Sequence, residues 1–314
     1  MTRLLRRTLP AVAVLLLAAG LTACGESASS AGGDTADPDV LVFAAVPSEE
    51  SASLREDYAP IIALLEAETG KTVEFRQATD YAAVIEGQLS GQIQIAQYGP
   101  LSFVLAQQQG AEIVPVGAQV DEEGGQPGYL SYGITRPGSG ITSLADFAGK
   151  NVCFVDPNST SGFLYPTAGL LEAGVDPAAG LTPVFAGAHD ASVLEVAAGR
   201  CDAGFAYDTM VDAQLIESGA LMPGQITTVW KSETIPGSPV AISTQLSPEL
   251  QATLTTAFAD KANSDYLLAN DFCTGECPIG DEGVWGYAPV DDAFYDPIRQ
   301  VCEITRNENC NEAS

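Results

Sequence analysis

Residues 152–166 read Val152-Cys153-Phe154-Val155-Asp156-Pro157-Asn158-Ser159-Thr160-Ser161-Gly162-Phe163-Leu164-Tyr165-Pro166, and the order of residue types there decides the fold class. The first four are apolar and rich in valine, which suits a short buried strand. Asp156-Pro157-Asn158 is turn chemistry, because proline presets φ while Asp and Asn side chains bond nearby backbone. From Gly162 to about residue 173 the pattern predicts a helix whose start is capped by a serine or threonine hydroxyl. A strand that runs through a tight turn into a helix is half of an α/β unit. The same junction places three hydroxyls beside free backbone N–H groups and the positive end of a helix dipole, which is how an oxyanion is held. An ordinary N-cap needs no more than these residues either, so this segment alone leaves function open.

The alternation extends in both directions. Upstream, residues 40–46 form a β-branched apolar run ended by the turn at 47–50, and Leu54, Tyr58, Ile61, Ile62 and Leu65 then recur at helical spacing until Gly70. Strands at 71–77, 93–98 and 113–119 alternate with helices at 81–90 and 101–109, each helix stopped by a glycine, as in a parallel α/β sheet. Residues 130–135 are expected to cross to a second lobe. There strands at 152–155, 182–185 and 202–207 alternate with the helix after Gly162 and one at 190–198. Residues 229–235 are expected to return the chain, and helices near 248–262 to close the first lobe. The expected organisation is a first lobe from 39–132 and 235–314, with a second lobe from 133–234 inserted. Pockets in such sheets open at the carboxyl ends of strands, where Tyr98, Asp156 to Ser161, and Tyr207-Asp208 fall.

The N-terminus reads as an address. Arg3, Arg6 and Arg7 precede an apolar run over 9–21, too short to span a bilayer and suited to a secretory signal over residues 1–23. The run ends in Leu21-Thr22-Ala23-Cys24, which resembles a bacterial lipobox, so Cys24 is the expected lipidation site. Residues 24–38 are then a Gly/Ser/Ala-rich tether with a reach of about 20 Å. The formal net charge is −28, which argues against a nucleic-acid partner and accords with a soluble, monomeric body. An anion approaching such a body must be held by local dipoles and hydrogen bonds.

Seven cysteines less Cys24 leave Cys153, Cys201, Cys273, Cys277, Cys302 and Cys310. An even number in an exported chain reads as disulfides. Cys153 with Cys201, Cys273 with Cys277, and Cys302 with Cys310 are the preferred pairings among the possible ones. A zinc site at Cys273 and Cys277 is the competing reading, but the spacing is untypical. No metal or cofactor is expected.

The sequence DPNSTSG at 156–162, the run from Gly187-Ala188-His189-Asp190 through Asp202-Ala203, and Ile235-Pro236-Gly237-Ser238-Pro239 together resemble the phosphate, phosphite and phosphonate-binding proteins of ABC importers. Thr79-Asp80-Tyr81-Ala82 and Gln97-Tyr98-Gly99-Pro100 resemble that family's N-terminal lobe. The resemblance covers about residues 40–302. It implies a type II periplasmic-binding-protein fold, with two lobes on two hinge crossovers, and a lipoprotein that delivers its ligand to a permease and its ATPase. It also implies roles. Ser159, Thr160 and Ser161 match the trio that holds the ligand oxygens, His189 matches a ligand histidine, and Tyr81 and Tyr129 match tyrosines that close over the ligand. Ser48 and Tyr98 are expected at the rim, Tyr98 with core packing as the competing role. Members that take an aminoalkyl phosphonate carry acids at the positions of Ser238 and Thr209. Their absence favours phosphite, phosphate or a small alkylphosphonate, while Asp208 either substitutes as counter-charge or accepts from a protonated ligand oxygen.

Two rivals remain from the sequence. A hydrolase would use Ser159 or Ser161 as nucleophile, His189 as base and Asp190 as orienter, although no Gly-x-Ser-x-Gly elbow is present. A sensory binding protein would share the pocket and differ only in its partner.

Overall fold

The computed structural model describes residues 37–48, 54–275, 277–280, 283–307 and 310. The expected signal at 1–23, Cys24 and nearly all of the tether lie outside these residues. The chain forms β1 (Val40–Ala45), α1 (Ala59–Thr69), β2 (Thr72–Gln77), α2 (Tyr81–Leu89), β3 (Ile95–Gln97), α3 (Pro100–Gln108) and β4 (Ile113–Val120). After the two-residue β5 (Gly128–Tyr129) come β6 (Ser131–Thr135), β7 (Asn151–Phe154), α4 (Tyr165–Glu172), β8 (Thr182–Phe185), α5 (His189–Ala197), β9 (Ala203–Tyr207) and β10 (Thr227–Lys231). The two-residue β11 (Ile235–Pro236) leads to β12 (Pro239–Ser243), α6 (Pro248–Thr256), β13 (Gly286–Ala288) and α7 (Asp296–Thr305).

These strands build a six-stranded sheet of order β13-β4-β12-β3-β1-β2 and a five-stranded sheet of order β10-β6-β9-β7-β8. The joins are β5 and β11, which pair antiparallel through Tyr129 with Ile235 and Gly128 with Pro236. The chain therefore crosses at 128–129 and 235–236, next to the runs read as crossovers. Residues 131–135 and 227–231 are instead strands of the five-stranded sheet, paired with each other. The apolar pattern is the same for a strand in a sheet and one between sheets, so it could not separate them.

The first sheet is also mixed rather than parallel. β1 pairs in parallel with β2 and β3, but β12 enters between β3 and β4, antiparallel to both. β12 was not read as a strand, because its pairing partners lie more than a hundred residues upstream. All five of its residues are buried, as a strand covered on both faces requires. One apolar cluster lies on each face of each sheet. The cluster around Tyr98, Phe103 and Tyr295 also takes in Val155, Leu164 and Tyr165, so α4 and its approach pack against the first sheet's helices. Disulfides join Cys153 to Cys201, Cys273 to Cys277 and Cys302 to Cys310.

Candidate functional site

The turn after β7 is built from its own side chains. The Asp156 carboxylate accepts from Asn158 N–H at 2.7 Å, an Asx-turn, and Ser159 caps the next turn by accepting from Gly162 N–H at 3.1 Å. The expected α-helical start is a π-helical turn over Thr160–Leu164, which closes onto α4 through the bond from Tyr165 N–H to Thr160 C=O. Gly162 is obligatory here: a Cβ would stand 2.4 Å from Val155 Cβ and 2.8 Å from Ser159 Oγ. The turn is pinned to β6 by the Ser131 hydroxyl, which donates to Ser161 C=O at 2.6 Å.

A cavity of about 100 Å³ opens at this turn, between the carboxyl ends of β3 and β9. That is several times the roughly 10–15 Å³ one water needs on the same measure. All eleven sequence-derived site residues line it: Ser48, Tyr81, Tyr98, Tyr129, Ser159, Thr160, Ser161, His189, Asp208, Thr209 and Ser238. Tyr98 has both roles weighed for it, since it is fully buried in the core and also borders the cavity. Tyr207, which the sequence places at the carboxyl end of a strand, lines it too, and so do Gln97, Gln119 and Asp121, which the sequence does not single out. Gln97 ends a strand, so the rule of carboxyl ends could have found it.

The wall offers neutral donors. Ser159, Thr160, Ser161 and His189 are each no more than 3% exposed, so their polar atoms need partners. Thr160 Oγ1 accepts from Leu101 N–H at 2.8 Å, reaching from the second sheet to the start of α3. Its own proton remains to donate. Tyr129 lines the cavity with Ser161 and Thr160, and burial raises its pKa, so its hydroxyl is a neutral donor. His189 N–H donates to Ser48 C=O at 3.0 Å, a second bond between the two sheets' elements.

The geometry also fixes the tautomer of His189. Its Nδ1 accepts from Tyr207 N–H at 3.2 Å, and burial depresses its pKa to about 3. The ring is therefore neutral with its proton on Nε2, which lies 3.4 Å from Ser159 Oγ and faces the cavity. An imidazole with a protonated Nε2 donates to an anion and cannot take a proton from Ser159, so the hydrolase reading loses its base. Asp208 also lines the cavity. Its pKa is raised by burial, and its Oδ1 is buried without a hydrogen-bond partner. Among the described residues no lysine or arginine lines the cavity.

This arrangement agrees with what the chain resembles. Residues 43–271 match the family of periplasmic substrate-binding proteins of phosphonate ABC transporters. The chain belongs to this family. It is 50% identical over 282 residues to the phosphate-import protein PhnD of Mycolicibacterium smegmatis, covering 87% of this chain and 88% of that one. It is 30% identical over 211 residues to the phosphonates-binding periplasmic protein of Escherichia coli, covering 66% and 62%. A binding protein component of an ABC phosphonate transporter from Pseudomonas aeruginosa superposes with a TM-score of 0.72 at 27% identity, over 88% of this chain and 90% of that one. The fold is thus the type II periplasmic-binding-protein fold, and the chain is a transport binding protein rather than an enzyme. Among the described residues no helix is long and apolar enough to cross a membrane, and no group of three or more His, Cys, Asp or Glu is placed to hold a metal.

Proposed function

We propose that this binding protein captures inorganic phosphate outside the cell membrane, holds it between two lobes and hands it to an ABC permease. One lobe is built on the six-stranded sheet and the other on the five-stranded sheet, joined at 128–129 and 235–236. The lipidated Cys24 and the tether after it keep the body close to the membrane. The ligand's oxygens are held by Ser159, Thr160, Ser161, Tyr129 and the Nε2–H of His189, with Tyr81 walling off water. Closure excludes solvent, which strengthens hydrogen bonds to the anion.

The observation that carries this reading is the unpartnered Oδ1 of Asp208. A buried carboxylate oxygen in an anion pocket is repelled by a fully ionised ligand and satisfied by one that brings a proton, as phosphate does through P–OH. Sulfate has no proton to give at neutral pH. The relative at 50% identity supports the choice, since it is named for phosphate import. Thr209 and Ser238 supply no charge for a ligand ammonium, which sets 2-aminoethylphosphonate below phosphate. Titration calorimetry of the purified body with phosphate, phosphite, methylphosphonate, 2-aminoethylphosphonate and sulfate tests the assignment. Phosphate should bind tightest and sulfate at least about a hundredfold more weakly, the consequence of a buried acceptor left unpaired. Equal binding of sulfate and phosphate refutes it.

A further inference from the structure

A second carboxylate stands in the cavity wall, and none of the readings above uses it. Asp121 follows β4 of the six-stranded sheet, and Asp208 follows β9 of the five-stranded sheet. Both line the same cavity. Asp121 also borders the outer groove, where Asp57, Asp190 and Asp265 collect. Asp121 is exposed on the side of that groove, while burial of its carboxyl and, after it, the charge of Asp208 raise its pKa. An anion trap that sets one carboxylate from each sheet beside its ligand is doubly hostile to a bare anion. The same trap suits an anion that brings two protons.

We propose that Asp121 is a specificity-determining residue, which together with Asp208 reads two P–OH groups and so selects monobasic phosphate over every ligand with one P–OH or none. This rests on the phosphate reading. Monobasic phosphate carries two hydroxyls and two bare oxygens: each hydroxyl donates to one carboxylate, and the bare oxygens accept from Ser159, Thr160, Ser161, Tyr129 and His189. Monobasic phosphite and monobasic methylphosphonate have only one P–OH, because the fourth substituent is hydrogen or carbon, so one of the two carboxylates stays unpaired. Dibasic phosphate has the same deficit. No proton need leave the ligand, and the pocket needs no cation.

The surroundings of both acids bear on the pH dependence. Asp208 is faced by Asp121, by Asp212 on its own segment, by Lys231 of β10 and by Tyr129 of β5, with the neutral His189 in the same wall. Asp121 is faced by Asp208 and by its neighbour Glu122, with Asp57, Asp190 and Asp265 in the groove beyond. Lys231 is the one cation in this set, and it is engaged by the Tyr132 hydroxyl at 2.7 Å. The acids therefore lack a cation to neutralise them in the cavity, and the ligand's protons do so.

The test is calorimetry of wild type and Asp121→Asn with phosphate and methylphosphonate between pH 5.5 and about 8.5, with thermal midpoints showing that both are folded. In wild type the affinity for total phosphate should fall about tenfold per pH unit once the ligand loses its second proton. The amide of Asp121→Asn both donates and accepts, so it tolerates a bare oxygen. Its phosphate preference over methylphosphonate should shrink about ten- to a hundredfold, and its pH slope should flatten. A preference and slope unchanged in Asp121→Asn overturn this inference alone. Failure of wild type to bind phosphate at any pH overturns the phosphate reading and this one with it.

Discussion

Replacement of His189 by alanine removes one donor to the ligand and one acceptor for the backbone, and the two losses are read in different assays. A hydrogen bond to a charged group is worth about 1.5–3 kcal/mol, and 1.4 kcal/mol is tenfold in affinity. Loss of the Nε2–H should therefore weaken phosphate binding by about one to two decades in calorimetry. Loss of Nδ1 leaves the buried Tyr207 N–H without the partner it has at 3.2 Å. That costs about 1–3 kcal/mol of stability in denaturant unfolding. The pH behaviour follows from the same ring. Its folded pKa of about 3 lies below its unfolded value near 6.5, so the unfolded state binds the extra proton. The stability this contributes is complete above pH 6.5 and is lost as the pH falls towards 3. Across the working range the ring does not titrate, and its protonation should leave no inflection near pH 6.5 in the binding curve. His189 is the only histidine of the chain, so nitrogen-15 NMR of uniformly labelled protein reads its tautomer without assignment. A proton on Nδ1, a charged ring at pH 6, or unchanged affinity in His189→Ala would refute the reasoning.

Gly162→Ala should weaken binding and lower stability by about 1–3 kcal/mol, because its Cβ would meet Val155 and the Ser159 hydroxyl; calorimetry and chemical unfolding measure both. Tyr129→Phe keeps the ring and removes one hydroxyl donor from the cavity wall, and affinity should drop about tenfold with little change in thermal midpoint. Replacement of both Cys153 and Cys201 by alanine opens a link of sequence separation 48 and should cost about 4 kcal/mol on the loop-entropy account, measured as a shift in denaturant midpoint.

Much of the site was legible because its residues are local in sequence. Asp156 to Gly162 carry an Asx-turn, a serine cap and a glycine that admits no side chain, all set by neighbours within a few positions. His189 and Tyr207 lie at the start of a helix and the end of a strand, positions that the alternation of α and β already marks. Other features depend on distant chain. β12 takes its place through partners at 95–97 and 113–118, and no window of local sequence contains that information. The true crossovers at 128–129 and 235–236 are two residues each and are defined only by their pairing.

The sequence by itself determined the α/β alternation, the hydroxyl-rich turn and the scarcity of positive charge, since propensity, capping and composition are properties of neighbouring residues. Only the tertiary structure decided what those features face. It set Thr160 against Leu101 N–H, turned Nδ1 of His189 onto Tyr207 and so its Nε2–H into the cavity, and brought Asp121 within the field of Asp208. Each of those relations joins segments 18 to 87 residues apart, and an anion pocket without a cation exists only once such segments are packed together and water is excluded between them.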